Sequence, residues 1–383
     1  MIDEPSNLQT DSLSPQHTIT NKEELEYKKI RTRDELLQYI NREESGGDLH
    51  FVDLSEFDLQ NNIDLFDSQI TYTVNGWTDK VIWPDKLPEG FDPKKLLEDG
   101  KKQILGIPEI HANGITGKSI KIAIIDQMLF VEHPYYEKQI KHNEICSYKF
   151  EKREDKDYHP SLVVGNAIGV APDADIYFFA SDNWLGKPGQ KTTMERHNKA
   201  IQRVIEINKD LPEDSKIRFL VCSWGNSDDE FADDREKLFD EATRNGIMVI
   251  GGFYKYKLFL KPYDPRYEIP NSPLAIPTDG KTIPFYKGGF LFNRLGGTSS
   301  AYPYLAGVFA LALQNNPEFV TQDNWQAKLM DIAFSTATKT KRIINPAGIV
   351  EEVDNQTKAL NTVACIRPDL LSRAMATNNF NNG

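Results

Sequence analysis

The chain has 383 residues, 39% of them hydrophobic, enough for a sizeable core and for more than one structural unit. Its 45 basic against 57 acidic residues give a net charge of −12, which speaks against nucleic acid or an anionic membrane as the main partner. Three widely spaced cysteines, Cys146, Cys222 and Cys365, form no Cys-x-x-Cys pair, so neither a disulfide framework nor a zinc site is suggested.

Residues 1 to about 20 are polar and rich in Ser, Asn and Gln, with no apolar core of a signal peptide, and no later run approaches membrane-spanning length. The expectation is a disordered start and a soluble, cytoplasmic protein. Leu25, Ile30, Leu36, Leu37 and Ile40 recur at helical spacing in the charged stretch Lys22 to Arg42 and predict a helix. A loose Asp-Leu recurrence at Asp53-Leu54, Asp58-Leu59 and Asp64-Leu65 is too short to stack as a solenoid. Proline, glycine and charge alternate from Trp83-Pro84 to Lys102, as in a surface linker. Residues 1–105 thus read as an N-terminal extension, either a propeptide or, as no export step is evident, a permanent scaffold.

From Gly106 the pattern becomes strand, helix, strand, helix. Ile120 to Ile125, Ala174 to Ala180, Ile217 to Cys222 and Gly246 to Gly251 are short apolar runs suited to strands covered on both faces. Between them, Ile201, Val204 and Ile205 share one helical face, and Phe231, Leu238, Phe239 and Ala242 another. This predicts a three-layer α/β fold over residues 106–345, a mostly parallel sheet with helices on both faces. Its chemistry belongs beyond the carboxyl ends of the strands. Residues 346–383 read as a C-terminal tail, frayed over Asn378 to Gly383.

Two positions suggest chemistry. In Gly296-Gly297-Thr298-Ser299-Ser300-Ala301-Tyr302-Pro303, followed by an apolar helical run, Ser299 stands where backbone N–H groups lack intrahelical partners. That environment suits a nucleophile that generates an oxyanion, although serine is also an ordinary N-cap residue. Proline is expected only in the first turn of such a helix. Asp126 closes the apolar run Ile122-Ala123-Ile124-Ile125, where a carboxylate can orient a histidine or cap the next helix. Of the histidines between them, His197 lies in a charged helical segment and His142 between Lys141 and Asn143, so both read as surface residues.

Six landmarks stand in register: Gly114-Ile115-Thr116-Gly117-Lys118, Asp126, His133-Pro134, Gly169-Val170-Ala171-Pro172-Asp173-Ala174, Ser223-Trp224-Gly225 and Gly297-Thr298-Ser299. With them the segment from about Gly106 to Asn345 resembles the subtilisin-like serine peptidases, whose triad runs Asp, His, Ser along the chain. The resemblance implies that Asp126 is the triad aspartate and Ser299 the nucleophile, and that His133 belongs to a non-catalytic turn. The base is His159 if Pro160 occupies a first helical turn. An ungapped register would put Asp155 there instead, with Pro160 in mid-helix at a cost of about 3 kcal/mol.

The chain departs from the family pattern in two further places. Gln127-Met128 follows Asp126 where Thr-Gly is usual, and Gly252-Phe253-Tyr254-Lys255-Tyr256 supplies no asparagine for the oxyanion hole, leaving Tyr254 or Lys255 as candidates. Ser223, Trp224 and Gly225 match the strand that pairs with extended peptide substrates. The implied activity is serine-type endopeptidase, with a protein or peptide as partner. The alternative is a degenerate relative that binds peptides or a partner protein without cleaving them. No cofactor is implied, and no clustered oxygen-ligand loop points to calcium. Nothing in the sequence fixes an oligomeric state.

Overall fold

The structure is a computed structural model describing residues 27–42, 47–66, 74–147, 159–181, 192–224, 231–251, 260–263, 274–285, 288–294, 296–339 and 342–366. Its N-terminal part carries β1 (Lys28–Lys29), α1 (Arg33–Ile40), β2 (Asp48–Leu49), β3 (Val52–Asp53), β4 (Gly76–Thr78) and α2 (Pro93–Lys101). Of the stretch Lys22 to Arg42, where a helix is expected, the described residues 27–42 are helical from Arg33 to Ile40. There the Thr32 hydroxyl accepts the Glu35 amide and the Glu35 carboxylate accepts the Thr32 amide, a reciprocal capping box, while β1 runs parallel to β3. Leu25 and residues 1–20 lie outside the described residues.

The stretch expected to be a linker contains α2, which corrects that reading. Pro93 sits in its first turn, where a missing N–H costs nothing, and Asp92 caps it by accepting the Lys95 amide at 2.9 Å. Leu54, Leu59 and Leu65 of the Asp-Leu recurrence join one apolar cluster with Trp77, Leu97 and Phe292 rather than a stack of coils.

The main unit alternates as its apolar runs require: α3 (Ile107–Ala112), β5 (Lys121–Asp126), β6 (Ile140–Ser147), α4 (His159–Val170), β7 (Asp175–Ser181), α5 (Thr192–Asp210), β8 (Ile217–Cys222), α6 (Ala232–Arg244) and β9 (Met248–Gly251). The five strands pair in parallel in the order β6-β7-β5-β8-β9. Side chains alternate along each strand. Ile122, Ile124, Phe219 and Val221 therefore pack toward α4, while Ala123, Ile125, Leu220 and Cys222 pack toward α5 and α6. Helices cover both faces, as the sequence predicts.

After β9 come β10 (Leu260–Tyr263), β11 (Leu274–Pro277), β12 (Lys281–Pro284), β13 (Phe290–Asn293), α7 (Thr298–Gln314), α8 (Trp325–Thr336) and α9 (Pro346–Ile366). Every residue of α7 from Ser300 to Leu313 is buried, as for a helix that is apolar all round. It packs on α4, where a Cβ at Gly307 would press on the Val170 side chain. The expected C-terminal tail begins as a helix, α9, packed on α7 and α8, which corrects that expectation up to Ile366; Asn378 to Gly383 lie outside the described residues. Among the described residues no helix is long and apolar enough to cross a membrane.

β12 and β13 form an antiparallel hairpin that is continued by β4 and β2 from the N-terminal part, in the order β12-β13-β4-β2. Asp48 of β2 is 7% exposed, and burial pushes its carboxyl up to about 7. Its native pKa thus lies above its unfolded value, so the native state loses stability as pH rises from about 4 to about 7, by roughly 4 kcal/mol at most. Asp48→Asn is expected to raise the urea midpoint at pH 8 by clearly more than at pH 5. An equal effect at both pH values would contradict this reading.

Candidate active site

Strand alternation aims the two key positions. Asp126 follows Ile122 and Ile124 in parity and Ser223 follows Phe219 and Val221, so both face the α4 and α7 side of the sheet. β5 and β8 are adjacent, with Ile125 opposite Cys222, so Asp126 and Ser223 stand side by side at the carboxyl ends. From β5 the sheet grows outward through β7 and β6 on one side and through β8 and β9 on the other. This is the topological switch point at which open α/β sheets bind ligands.

His159 is the first described residue of α4 and Pro160 follows it. Its Nδ1 lies 3.0 Å from both Asp126 Oδ1 and Asp126 Oδ2. The Asp126 carboxylate is fully buried and also accepts the Gln127 amide at 2.7 Å. A buried carboxylate needs such partners, and in return it orients the ring with the Nδ1 proton directed at Asp126. Asp155, the alternative base, lies outside the described residues.

Ser299 is the second residue of α7, behind the extended N-cap Gly297, which has no side chain to cap the helix. The Ser300 amide donates to the Gly297 carbonyl at 3.0 Å, whereas the Thr298 and Ser299 amides before it have no acceptor within an α-helical ladder and form the positive end of the helix. Pro303 lies inside α7, not in its first turn as the sequence suggests. Proline has no N–H to give the carbonyl four residues back, which is that of Ser299. Ser223 fills the gap, its hydroxyl donating to the Ser299 carbonyl at 3.1 Å. In return, the Ser299 hydroxyl donates to the Ser223 carbonyl at 3.1 Å. The sequence carried the signal in a proline four residues after a serine.

Trp224 has the opposite parity from Ser223 and turns to the α5 side, where it stacks on His197 with ring centroids 4.1 Å apart. His197 is 1% exposed, which corrects its reading as a solvated residue. Charged neighbours hide its place on the apolar stripe it shares with Ile201, Val204 and Ile205. His142 is half-buried on β6, stacked on Tyr177 and 3.1 Å from Glu144 Oε2, not simply a surface residue. His133 lies apart from the triad positions, its Nε2–H donating to the Gly289 carbonyl at 2.8 Å while its Nδ1 accepts the Tyr135 amide. Of the other sequence candidates, Gly225, Tyr254 and Lys255 lie outside the described residues. Among the described residues no cluster of His, Cys, Asp and Glu is arranged to hold a metal ion.

No protein-family model matches the chain. It is 26% identical over 274 residues to the major intracellular serine protease of Bacillus subtilis (strain 168), covering 63% of this chain and 79% of that protein. Among solved structures it resembles a lanthipeptide protease with a TM-score of 0.53 at 14% identity, over 69% of this chain and 97% of that one. It also resembles the PatG macrocyclase domain, with a TM-score of 0.50 at 14% identity over 65% of this chain and 95% of that one. At such identities these likenesses concern the fold.

Cys222 precedes Ser223, and burial, aided by the Asp126 charge, pushes its thiol well above the usual range; burial and Glu144 push Cys146 up to about 12. Neither is a ready nucleophile. At pH 8, iodoacetamide is expected to leave both cysteines unmodified in the native protein under conditions that fully alkylate the urea-unfolded chain, as read by peptide mass mapping. Native alkylation of Cys222 at the unfolded rate would mean that the end of β8 opens.

Proposed function

Because the chain is a divergent member of the subtilisin-like serine peptidase family, we propose that it hydrolyses peptide bonds through Asp126, His159 and Ser299. The observation that carries this reading is the 3.0 Å approach of His159 Nδ1 to Asp126, at the end of the strand beside the one that holds Ser299 through Ser223. The Ser299 hydroxyl turns from the Ser223 carbonyl toward His159 Nε2, loses its proton there and attacks the peptide carbonyl carbon. Asp126 stabilises the imidazolium that forms, and the imidazolium returns its proton to the leaving amine. A water molecule then repeats the sequence on the acyl-enzyme.

The developing oxyanion is placed at the amides of the first turn of α7, with Tyr254 or Lys255 standing in for the missing asparagine. Loss of one such donor slows acyl transfer by about 100- to 1,000-fold, so the first turn of α7 bears a larger share. A protein or peptide substrate adds as a strand at the segment Ser223, Trp224 and Gly225, which matches the substrate-pairing segment of the family pattern. The intracellular relative supports a cytoplasmic setting.

A second reading, a peptide-binding relative without cleavage, draws on two observations. The Ser299 hydroxyl rests on the Ser223 carbonyl, and residues 252–256 supply no asparagine. A fluorophosphonate probe and casein hydrolysis separate the two. The peptidase reading expects labelling of Ser299, casein hydrolysis that Ser299→Ala abolishes, and a loss of about 10,000-fold in kcat for Asp126→Asn with the fold intact. Wild-type protein that stays unlabelled and leaves casein uncut while binding extended peptides establishes the second reading.

A further inference from the structure

The strand that leads into Ser299 is built jointly by two distant parts of the chain. On one side β13 pairs with β12; on the other it pairs antiparallel with β4, Leu291 opposite Thr78, Phe292 opposite Trp77 and Asn293 opposite Gly76. The ladder extends past both ends of β4, with the Asp79 amide donating to the Phe290 carbonyl at 2.9 Å and the Arg294 amide donating to the Asn75 carbonyl at 2.8 Å. β13 ends at Asn293 and α7 begins at Thr298, so residues 294–297 alone separate this ladder from the helix that carries Ser299.

Packing matches the pairing. The Trp77 ring lies 4.7 Å from that of Phe292, and Trp83 and Phe91 close on Trp77 at 5.6 and 5.7 Å. A Cβ at Gly76 would overlap the Phe292 carbonyl, so the two backbones are in close contact. From α2, the Leu97 carbonyl accepts the Thr282 hydroxyl at 2.6 Å, and Lys101 stands 4.2 Å over the Phe290 ring. At the tip of the hairpin the Gly289 carbonyl is held by His133, seven residues beyond Asp126 in the chain. A detachable cover lies on a finished fold. β4 instead supplies one whole side of a hydrogen-bond ladder whose other side is the hairpin itself, and peeling it away would leave β13 with unpaired amides and carbonyls.

We propose that the N-terminal segment bearing β2, β4 and α2 is a permanent part of the catalytic unit, which holds Ser299 in place through β13, and that the active form retains it. Trp77 is then a positioning residue. This rests on the peptidase reading for the word active, but not for the architecture.

The test compares full-length Trp77→Ala and Trp77→Phe with wild type by hydrogen exchange and by the kinetics of fluorophosphonate labelling. In Trp77→Ala the amides of residues 288–299 are expected to exchange at least about tenfold faster, while those of β5 and β8 keep their protection. Its labelling rate constant is expected to fall about tenfold or more with the final stoichiometry unchanged, and Trp77→Phe is expected to restore both. A merely structural role would lower the stoichiometry and spare the rate constant of the folded molecules. Unchanged exchange and labelling in Trp77→Ala overturn the proposal. Should that variant not fold, a chain with a specific protease site inserted after Ile104 decides. After cleavage the two fragments are expected to co-elute under native conditions; a C-terminal fragment that separates, stays folded and is labelled at the wild-type rate overturns the proposal. If intact wild type is not labelled at all, the peptidase reading fails, while exchange and co-elution still judge the architecture.

Discussion

Ser299 has a carbonyl whose regular α-helical donor is missing. Pro303 removes the amide that would have reached it, and a half-buried carbonyl left without that bond is a cost to the fold. The Ser223 hydroxyl removes that cost and thereby ties the carboxyl end of β8 to the first turn of α7. Because β8 is the direct neighbour of β5, this tie also sets the distance between Ser299 and the Asp126–His159 pair. Local chain chemistry, a proline inside a helix, thus fixes a tertiary relation on which the candidate mechanism depends. The reverse bond, from the Ser299 hydroxyl to the Ser223 carbonyl, holds the resting side chain at the end of β8.

The parity of two strands does the remaining placement. Asp126 and Ser223 fall on the same face because each lies an even number of residues from core positions that pack on α4 and α7. One residue earlier or later, either side chain would meet α5 instead, as Cys222 and Trp224 do. The burial that makes the sheet stable therefore also sorts its last residues into those that reach the helix termini carrying His159 and Ser299 and those that do not. Trp224, sorted to the other side, stacks on His197, so the strand end is gripped from both faces.

Much of this was legible in the sequence because it is local. The run Ile217 to Cys222 is β8 to the residue, and Asp126 and Ser299 stand at the end of a strand and the start of a helix as their flanking residues indicate. What escaped is non-local or masked by composition. β6, Ile140–Ser147, is an edge strand whose consecutive Lys141, His142, Asn143 and Glu144 put polar side chains on both of its rows and conceal it. α2 hides behind Pro93, which punctuates a sequence but opens a helix. His197 looks solvated because its neighbours are charged, although its spacing to Ile201 and Val204 puts it on the buried stripe. The pairing of β4 with β13 joins residues more than two hundred positions apart, and no window along the chain contains both partners.

The divergence of the chain follows the same division between groups that have alternatives and groups that have none. Asp126 is a fully buried carboxylate, and removing the imidazole from it would leave an uncompensated charge in the core. The Ser299 carbonyl likewise takes its side-chain donor from a serine, Ser223. These residues match the family pattern. The position after Asp126 and residues 252–256, which do not match it, serve the reaction by adding donors and shaping turns, and the amides of a helix end carry part of that work whatever side chains surround them. Drift at the rim of the site thus lowers efficiency by degrees, whereas losing the imidazole beside Asp126 or the hydroxyl of Ser223 leaves a polar group without its partner and reaches the fold itself.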